Sequence, residues 1–262
     1  MLKIDTDKHI ARVTLDRPDV HNAFNDELIR LVTEAFTDLG ARDDIRVIVL
    51  AGNGKSFCAG ADLNWMKRMV QYSHDQNVED ARALARMFLS IAKCPKPVIG
   101  RIHGAALGGG AGLAAACDIA VAVESAQFGF TEVKLGILPA VISPFVIARI
   151  GTARAREFFI TGERFLAGVA QSIGLIQYVV AHDFALDALI DSKISQILTS
   201  APGAVAEAKH LIFGVAARTM ESSLDFTAET IARVRAGDEG QAGMKAFLER
   251  QKPPWIDKNN NK

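Results

Sequence analysis

Three consecutive glycines, Gly108-Gly109-Gly110, stand between an extended apolar segment, Pro97-Val-Ile-Gly-Arg-Ile102, and an Ala-rich run from Leu113 to Cys117. A strand that passes through such a turn into a helix is a basic step of an α/β architecture. With no Cβ atoms in the turn, a ligand can approach the main chain closely. The helix behind it offers unpaired N–H groups and the positive end of its dipole. Such a place attracts negative charge, either a standing phosphate or an oxyanion that develops during reaction. Of the two, the developing oxyanion is expected at this turn.

The flanking sequence supports the same architecture. Ala11 to Asp16 alternates strictly, with Ala11, Val13 and Leu15 on one face, which predicts a half-buried strand. Asn25 caps a predicted helix whose buried stripe is Leu28, Leu31, Val32, Ala35, Phe36 and Leu39, with Gly40 at its end. Val47 to Leu50 and Ile119 to Val123 are continuous apolar runs, as expected of strands covered on both faces. A loop from Gly52 to Asp62 leads into one helical stretch reaching about Ala92, and a strand follows at 98–103. From Phe184 onward, helical periodicity predominates, as in Leu186, Leu189, Ile190, Ile194 and Ile197.

Acidic and basic residues balance at 30 each, so nothing suggests a nucleic-acid footprint or a polybasic membrane surface. No apolar run approaches the length of a membrane helix, and residues 1–5 carry no signal-peptide pattern. Cys58, Cys94 and Cys117 lack metal-ligand spacing, which predicts reduced thiols in a cytoplasm and no zinc site. The polar tail after Trp255 is expected to fray.

Two loops follow apolar strands at the end where open α/β sheets bind ligands. They are Phe57-Cys-Ala-Gly-Ala-Asp62 and Leu107-Gly-Gly-Gly110. If they converge, the N–H groups of Ala61 and Gly109 can bind one carbonyl oxygen and stabilise an enolate or tetrahedral oxyanion. Glu132, among apolar residues and ahead of a Gly/Pro turn, is the candidate acid–base group. The alternative for Glu132 is a surface pair with Lys134. Asp118, Cys117 and His103 read as structural, and Trp65 and Met66 as pocket or core. A dinucleotide site at Gly110-Ala-Gly112 is disfavoured, because a helix ending at Cys117 is short for a parallel crossover.

With these residues in view, the chain resembles the crotonase, or enoyl-CoA hydratase/isomerase, superfamily from about Ile10 to Trp255. The matching pieces are Leu15-Asp-Arg-Pro-Asp-Val-His-Asn-Ala-Phe24, Phe57-Cys-Ala-Gly-Ala-Asp-Leu63, His103 to Gly110, Cys117-Asp-Ile119 and Gly243 to Arg250. The resemblance implies a spiral of ββα units with a C-terminal helical trimerisation region, in a trimer or dimer of trimers. It divides the chain into a core of residues 1–195 with the acyl-CoA site, a helical region 196–255 and a disordered tail 256–262. It also implies a coenzyme A thioester as substrate and no separate cofactor. The oxyanion donors fall on Ala61 and Gly109, and CoA contacts fall near Val20, Ala23, Ala59, Asp62 and Leu63. Phe247 and Arg250 would hold the CoA end, across a subunit boundary.

One of the superfamily's two hydratase glutamates matches Glu132; the position of the other holds Gly112, where the missing side chain is expected to free volume for substrate. The combination of Gly60-Ala-Asp-Leu-Asn-Trp-Met66, Gly112 and Ile142-Ser-Pro-Phe145 is similar to bacterial 3-methylglutaconyl-CoA hydratases and to relatives acting on isohexenylglutaconyl-CoA. The resemblance therefore implies hydration of 3-methylglutaconyl-CoA in leucine degradation. A Δ3,Δ2-enoyl-CoA isomerase is the enzymatic alternative, since that reaction needs one carboxylate. An RNA-binding or scaffold role on the same fold finds little support in the balanced charge.

Overall fold

The structure, a computed structural model, describes residues 1–256. The tail expected to be disordered lies outside the described residues from 257 onward. Strands β1 (Leu2–Asp7) and β2 (Ile10–Leu15) form a hairpin at the edge of a six-stranded sheet. In β2, Ala11, Val13 and Leu15 face the core, as the alternation predicts. Helix α1 (Asp26–Ala41) follows, capped by the Asn25 side chain on the Leu28 N–H at 2.9 Å. Gly40 does not end it, but lies inside it against Pro95, where a Cβ would sit 3.1 Å from the proline ring.

Strand β3 (Val47–Gly52) pairs parallel to β2 and is buried along Val47 to Leu50. The predicted long helix is two: α2 (Leu63–Met69) and α3 (His74–Ala92), the second opened by a capping box of Ser73 and Gln76. Strand β4 (Val98–Ile102) pairs parallel to β3. The chain then bends at Gly104, at φ +58°, where a Cβ would lie 2.0 Å from the Lys55 carbonyl oxygen. It enters a second layer as β5 (Ala105–Leu107) before α4 (Gly109–Ala116).

Strand β6 (Ile119–Val123) returns to the large sheet beside β4, and β7 (Gln127–Gly129) joins β5 in the second layer. After α5 (Ser143–Thr161), strand β8 (Arg164–Leu166) completes the second layer against β7. Helix α6 (Ala167–Ser172) precedes β9 (Tyr178–Val180), the last strand of the large sheet. Each turn of the chain therefore lays one strand in the large sheet, one short extended piece in the second layer and then a helix. The pieces at Phe24, Cys58, β5 and β7 touch through the bridges Phe24–Ala61 and Cys58–Ala106 and the β5–β7 pairing. This stacking brings loops far apart in sequence side by side.

Helix α7 (Asp183–Leu198) covers the large sheet with Leu186, Ile190 and Ile194. It runs through residue 195, so the expected core boundary falls inside a helix that packs on β3, β4, β6 and β9. Helices α8 (Pro202–Ala216), α9 (Met220–Ala236) and α10 (Asp238–Leu248) follow. Lys209 of α8 ties this region to the core. Its Nζ lies 2.6 Å from Asp118, whose carboxylate also accepts the Val98 N–H at 2.7 Å. Asp118 is thus structural, as read from the sequence. Met220, Leu224, Phe247 and Leu248 remain exposed on α9 and α10. Among the described residues, no helix is long and apolar enough to cross a membrane.

Candidate active site

The two loops converge through their own backbones. Cys58 N donates to Ala105 O at 2.9 Å and Leu107 N to Cys58 O at 3.0 Å. Close approach requires glycine on both sides. Gly60 has φ +99°, and a Cβ at Gly110 would lie 2.0 Å from the Cys58 carbonyl oxygen. Ala61 and Gly109 then line one cleft of about 450 Å³. Phe24 N donates to Gly60 O and Asp62 N to Phe24 O, so that bridge bypasses the Ala61 N–H. Gly109 is the first residue of α4, where an amide has no intrahelical acceptor. Among the described residues, neither N–H has a backbone acceptor.

Glu132 stands in the same cleft, on a 3₁₀ turn spanning Thr131–Leu135. A Cβ on Gly108 would lie 3.0 Å from its Oε1, so the bare turn lets the carboxyl sit against the start of α4. Its Oε2 is buried without a hydrogen-bond partner. Burial pushes the Glu132 carboxyl above the usual glutamate range, opposed by a hydrogen bond from its own backbone. A carboxylate so placed is under-solvated and a stronger base than one in water. It makes no ion pair with Lys134.

Other expected contacts divide. Ala59 and Leu63 line the cleft. Val20 and Ala23 do not, but they belong to the segment that Phe24 bridges to Ala61. Asp62, expected among the CoA contacts, is a buried anchor with both oxygens engaged. Oδ1 caps α2 by accepting from Asn64 N (2.7 Å) and Trp65 N (3.2 Å), and Oδ2 accepts from Arg17 at 2.7 Å. Burial opposes its ionisation, yet Arg17 and the two amides hold it below the usual aspartate range. Asp62→Ala takes away the cap of α2 and the ion-pair partner of Arg17, whose guanidinium keeps its bond to the Ala23 carbonyl oxygen. A loss of about 3 kcal/mol is expected in a denaturant titration.

Gly112 is the clearest correction. It lies inside α4 and does not itself line the cleft; Ile142, which does line it, fills the space that a side chain here would occupy, so no volume is freed. A Cβ would lie 2.4 Å from Ile142 Cγ2 and 3.0 Å from Phe88 Cε1. Phe247, 83% exposed, and Arg250, at φ +56°, do not line the cleft of their own chain.

The cleft also holds residues that the sequence did not single out. Asp80, with Asn77, Ala81 and Leu84, faces it from α3. Trp65, 2% exposed, is both pocket and core, and its Nε1 donates to Asp80 Oδ1 at 3.2 Å. Burial raises the Asp80 carboxyl above the usual aspartate range; Trp65 and Arg68 oppose this and Asp26 adds to it. Among the described residues, no group of three or more His, Cys, Asp or Glu could hold a metal.

Two free main-chain donors with the desolvated carboxyl of Glu132 against the start of α4, in a largely apolar cleft, is an arrangement for polarising a carbonyl beside a proton-transfer group. Residues 5–258 match the family described as enoyl-CoA hydratase/isomerase. The chain belongs to the enoyl-CoA hydratase/isomerase family. Enoyl-CoA hydratase ACTT6 of Alternaria alternata is 35% identical over 239 residues, 90% of this chain and 78% of that protein. An enoyl-CoA hydratase from Shewanella pealeana superposes with a TM-score of 0.93 at 38% identity, covering 97% of this chain and 95% of that one. Pseudomonas aeruginosa AtuE gives 0.94 at 32% identity, covering 98% and 99%. The two-layer spiral described above is the crotonase fold, and this chain is an enoyl-CoA hydratase/isomerase-type enzyme.

Proposed function

We propose that this enoyl-CoA hydratase/isomerase family member adds water to the double bond of 3-methylglutaconyl-CoA to give 3-hydroxy-3-methylglutaryl-CoA, and runs the reverse dehydration. The observation that carries the hydration reading is Glu132 with a buried, unpartnered oxygen in the cleft that Ala61 and Gly109 also line. The acyl group rests on the resemblance carried by Asn64-Trp-Met66, Gly112 and Ile142-Ser-Pro-Phe145.

In this reading the thioester oxygen accepts from the N–H groups of Ala61 and Gly109. Glu132 removes a proton from water as the water oxygen bonds to Cβ. The double-bond electrons move through Cα toward the thioester oxygen, giving an enolate held by the two donors. Glu132 then returns its proton to Cα and the carbonyl reforms. One carboxyl serves both steps because the base of the first becomes the acid of the second. Ala59 and Leu63 would contact the CoA arm, with Val20 and Ala23 beside them. Exposed Met220, Leu224, Phe247 and Leu248 support assembly as a trimer or dimer of trimers. There, Phe247 and Arg250 would reach a neighbour's CoA.

Glu132 as the one acid–base carboxyl fits a Δ3,Δ2-enoyl-CoA isomerase equally, since that reaction only moves a proton between carbons. Turnover in oxygen-labelled water separates the two. Hydration of 3-methylglutaconyl-CoA is expected to place label in the product. A shifted double bond in a 3-enoyl-CoA without label would replace the hydratase reading with the isomerase.

A further inference from the structure

We propose that Asp80 selects the far end of the acyl chain by sharing one proton with a second carboxyl group carried by the substrate. The inference rests on the dicarboxylic acyl group proposed above and assigns the residue that meets it. Asp80 reaches the cleft from α3, on a wall shared with Met66, Met69, Ala81, Leu84 and Asn77, whose side-chain nitrogen is already bonded to the Tyr72 and Ser73 carbonyl oxygens. Trp65 holds its Oδ1, and the buried indole cannot follow a moving carboxyl, so Asp80 is fixed in direction. Among the described residues, none is hydrogen-bonded to Oδ2.

The decisive feature is the sign of the lining. Among the described residues, no Lys, Arg or His lines the cleft, and its only ionisable side chains are Asp80 and Glu132. A substrate carboxylate entering this wall finds no cation to neutralise it. Two adjacent carboxyl groups in an apolar setting cannot both ionise, but they bind well with one proton between them. The charges around Asp80 are Asp26 from α1 and Arg68 from α2, which bond each other at 2.6 Å, leaving little free positive charge for the cleft. Burial already favours the neutral Asp80 carboxyl that such a pair requires.

The test uses saturated esters that cannot react. Glutaryl-CoA and butyryl-CoA are titrated calorimetrically into the protein from about pH 5.5 to about pH 8. Both carry the same CoA phosphates and meet the same Glu132, so their affinity ratio isolates the distal carboxyl. The glutaryl-CoA dissociation constant is expected to rise up to about tenfold per pH unit once Asp80 ionises, because binding must then take up a proton. Butyryl-CoA is expected not to follow. Asp80→Asn, whose amide donates at every pH, flattens the glutaryl-CoA profile. A flat wild-type profile, or a slope that survives in Asp80→Asn, overturns the proposal. Failure of the substrate reading appears elsewhere, as absent turnover of 3-methylglutaconyl-CoA.

Discussion

Glu132→Gln is expected to lower kcat by about 10³-fold, within the range for loss of a positioned acid–base group. The amide keeps the shape of the carboxyl but neither accepts the proton from water nor returns one to Cα. Acyl-CoA affinity, measured with a non-reactive ester, is expected to change little, because the thioester oxygen is held by main-chain N–H groups. Near-normal turnover would remove Glu132 from the mechanism. The wild-type pH profile is tied to the same group. Glu132 must be ionised to begin hydration, and burial raises its pKa. Thus kcat/KM falls as pH drops through that raised value.

Stability moves the opposite way. A carboxyl whose folded pKa exceeds its unfolded one binds its proton more tightly when folded. Its stabilising contribution is therefore present at low pH and lost as pH rises through the folded pKa. Glutamine carries no such penalty, so Glu132→Gln is expected to melt at a higher temperature than wild type above neutral pH. A variant that is slower and more stable separates a functional role from a structural one.

Gly110→Ala is the second substitution with a large expected effect. Its methyl would stand 2.0 Å from the Cys58 carbonyl oxygen and 2.9 Å from its carbon, both main-chain atoms. No rotamer relieves that contact, so the first turn of α4 must withdraw from the Cys58–Ala61 loop. The structural cost is about 1–3 kcal/mol, as for other overpacked sites. The catalytic cost is larger. Separating the Gly109 N–H from that of Ala61 removes one of two oxyanion donors, worth about 10²–10³ in kcat. Thermal melting and kcat measured on the same preparation distinguish this from simple unfolding. A folded protein with wild-type kcat would show that the loops need not touch.

Long elements were legible in the sequence because each buries a periodic face. Strand β2 alternates, β3 and β6 are covered on both sides, and α1 carries its own cap and stripe. Strands β5, β7 and β8 have three residues each, too few to show a period, although they build the layer that joins the loops. The break between α2 and α3 had a local signal in Ser73 and Gln76, which the apolar spacing on either side obscured.

At the site, the glycine turn and Glu132 could be read from their neighbours. Packing partners could not. Nothing near Gly112 in the chain announces that Ile142 and Phe88 fill the space beside it. Asp62 belongs to a motif whose neighbours Ala59, Ala61 and Leu63 line the cleft, but its own carboxylate supports structure, and its partner Arg17 lies forty-five positions away. Asp80 is one acid on a polar helix start, and only folding places it opposite a buried indole.

The thioester-polarising atoms are amide nitrogens placed by the backbone and by glycines that leave no room for side chains, as at Gly109 against the Phe24 ring, whereas proton transfer rests on one exchangeable side chain. Point mutation can therefore relocate or delete the acid–base group while carbonyl activation is inherited intact. A scaffold partitioned in this way can acquire a different reaction without first losing its hold on the reactive intermediate.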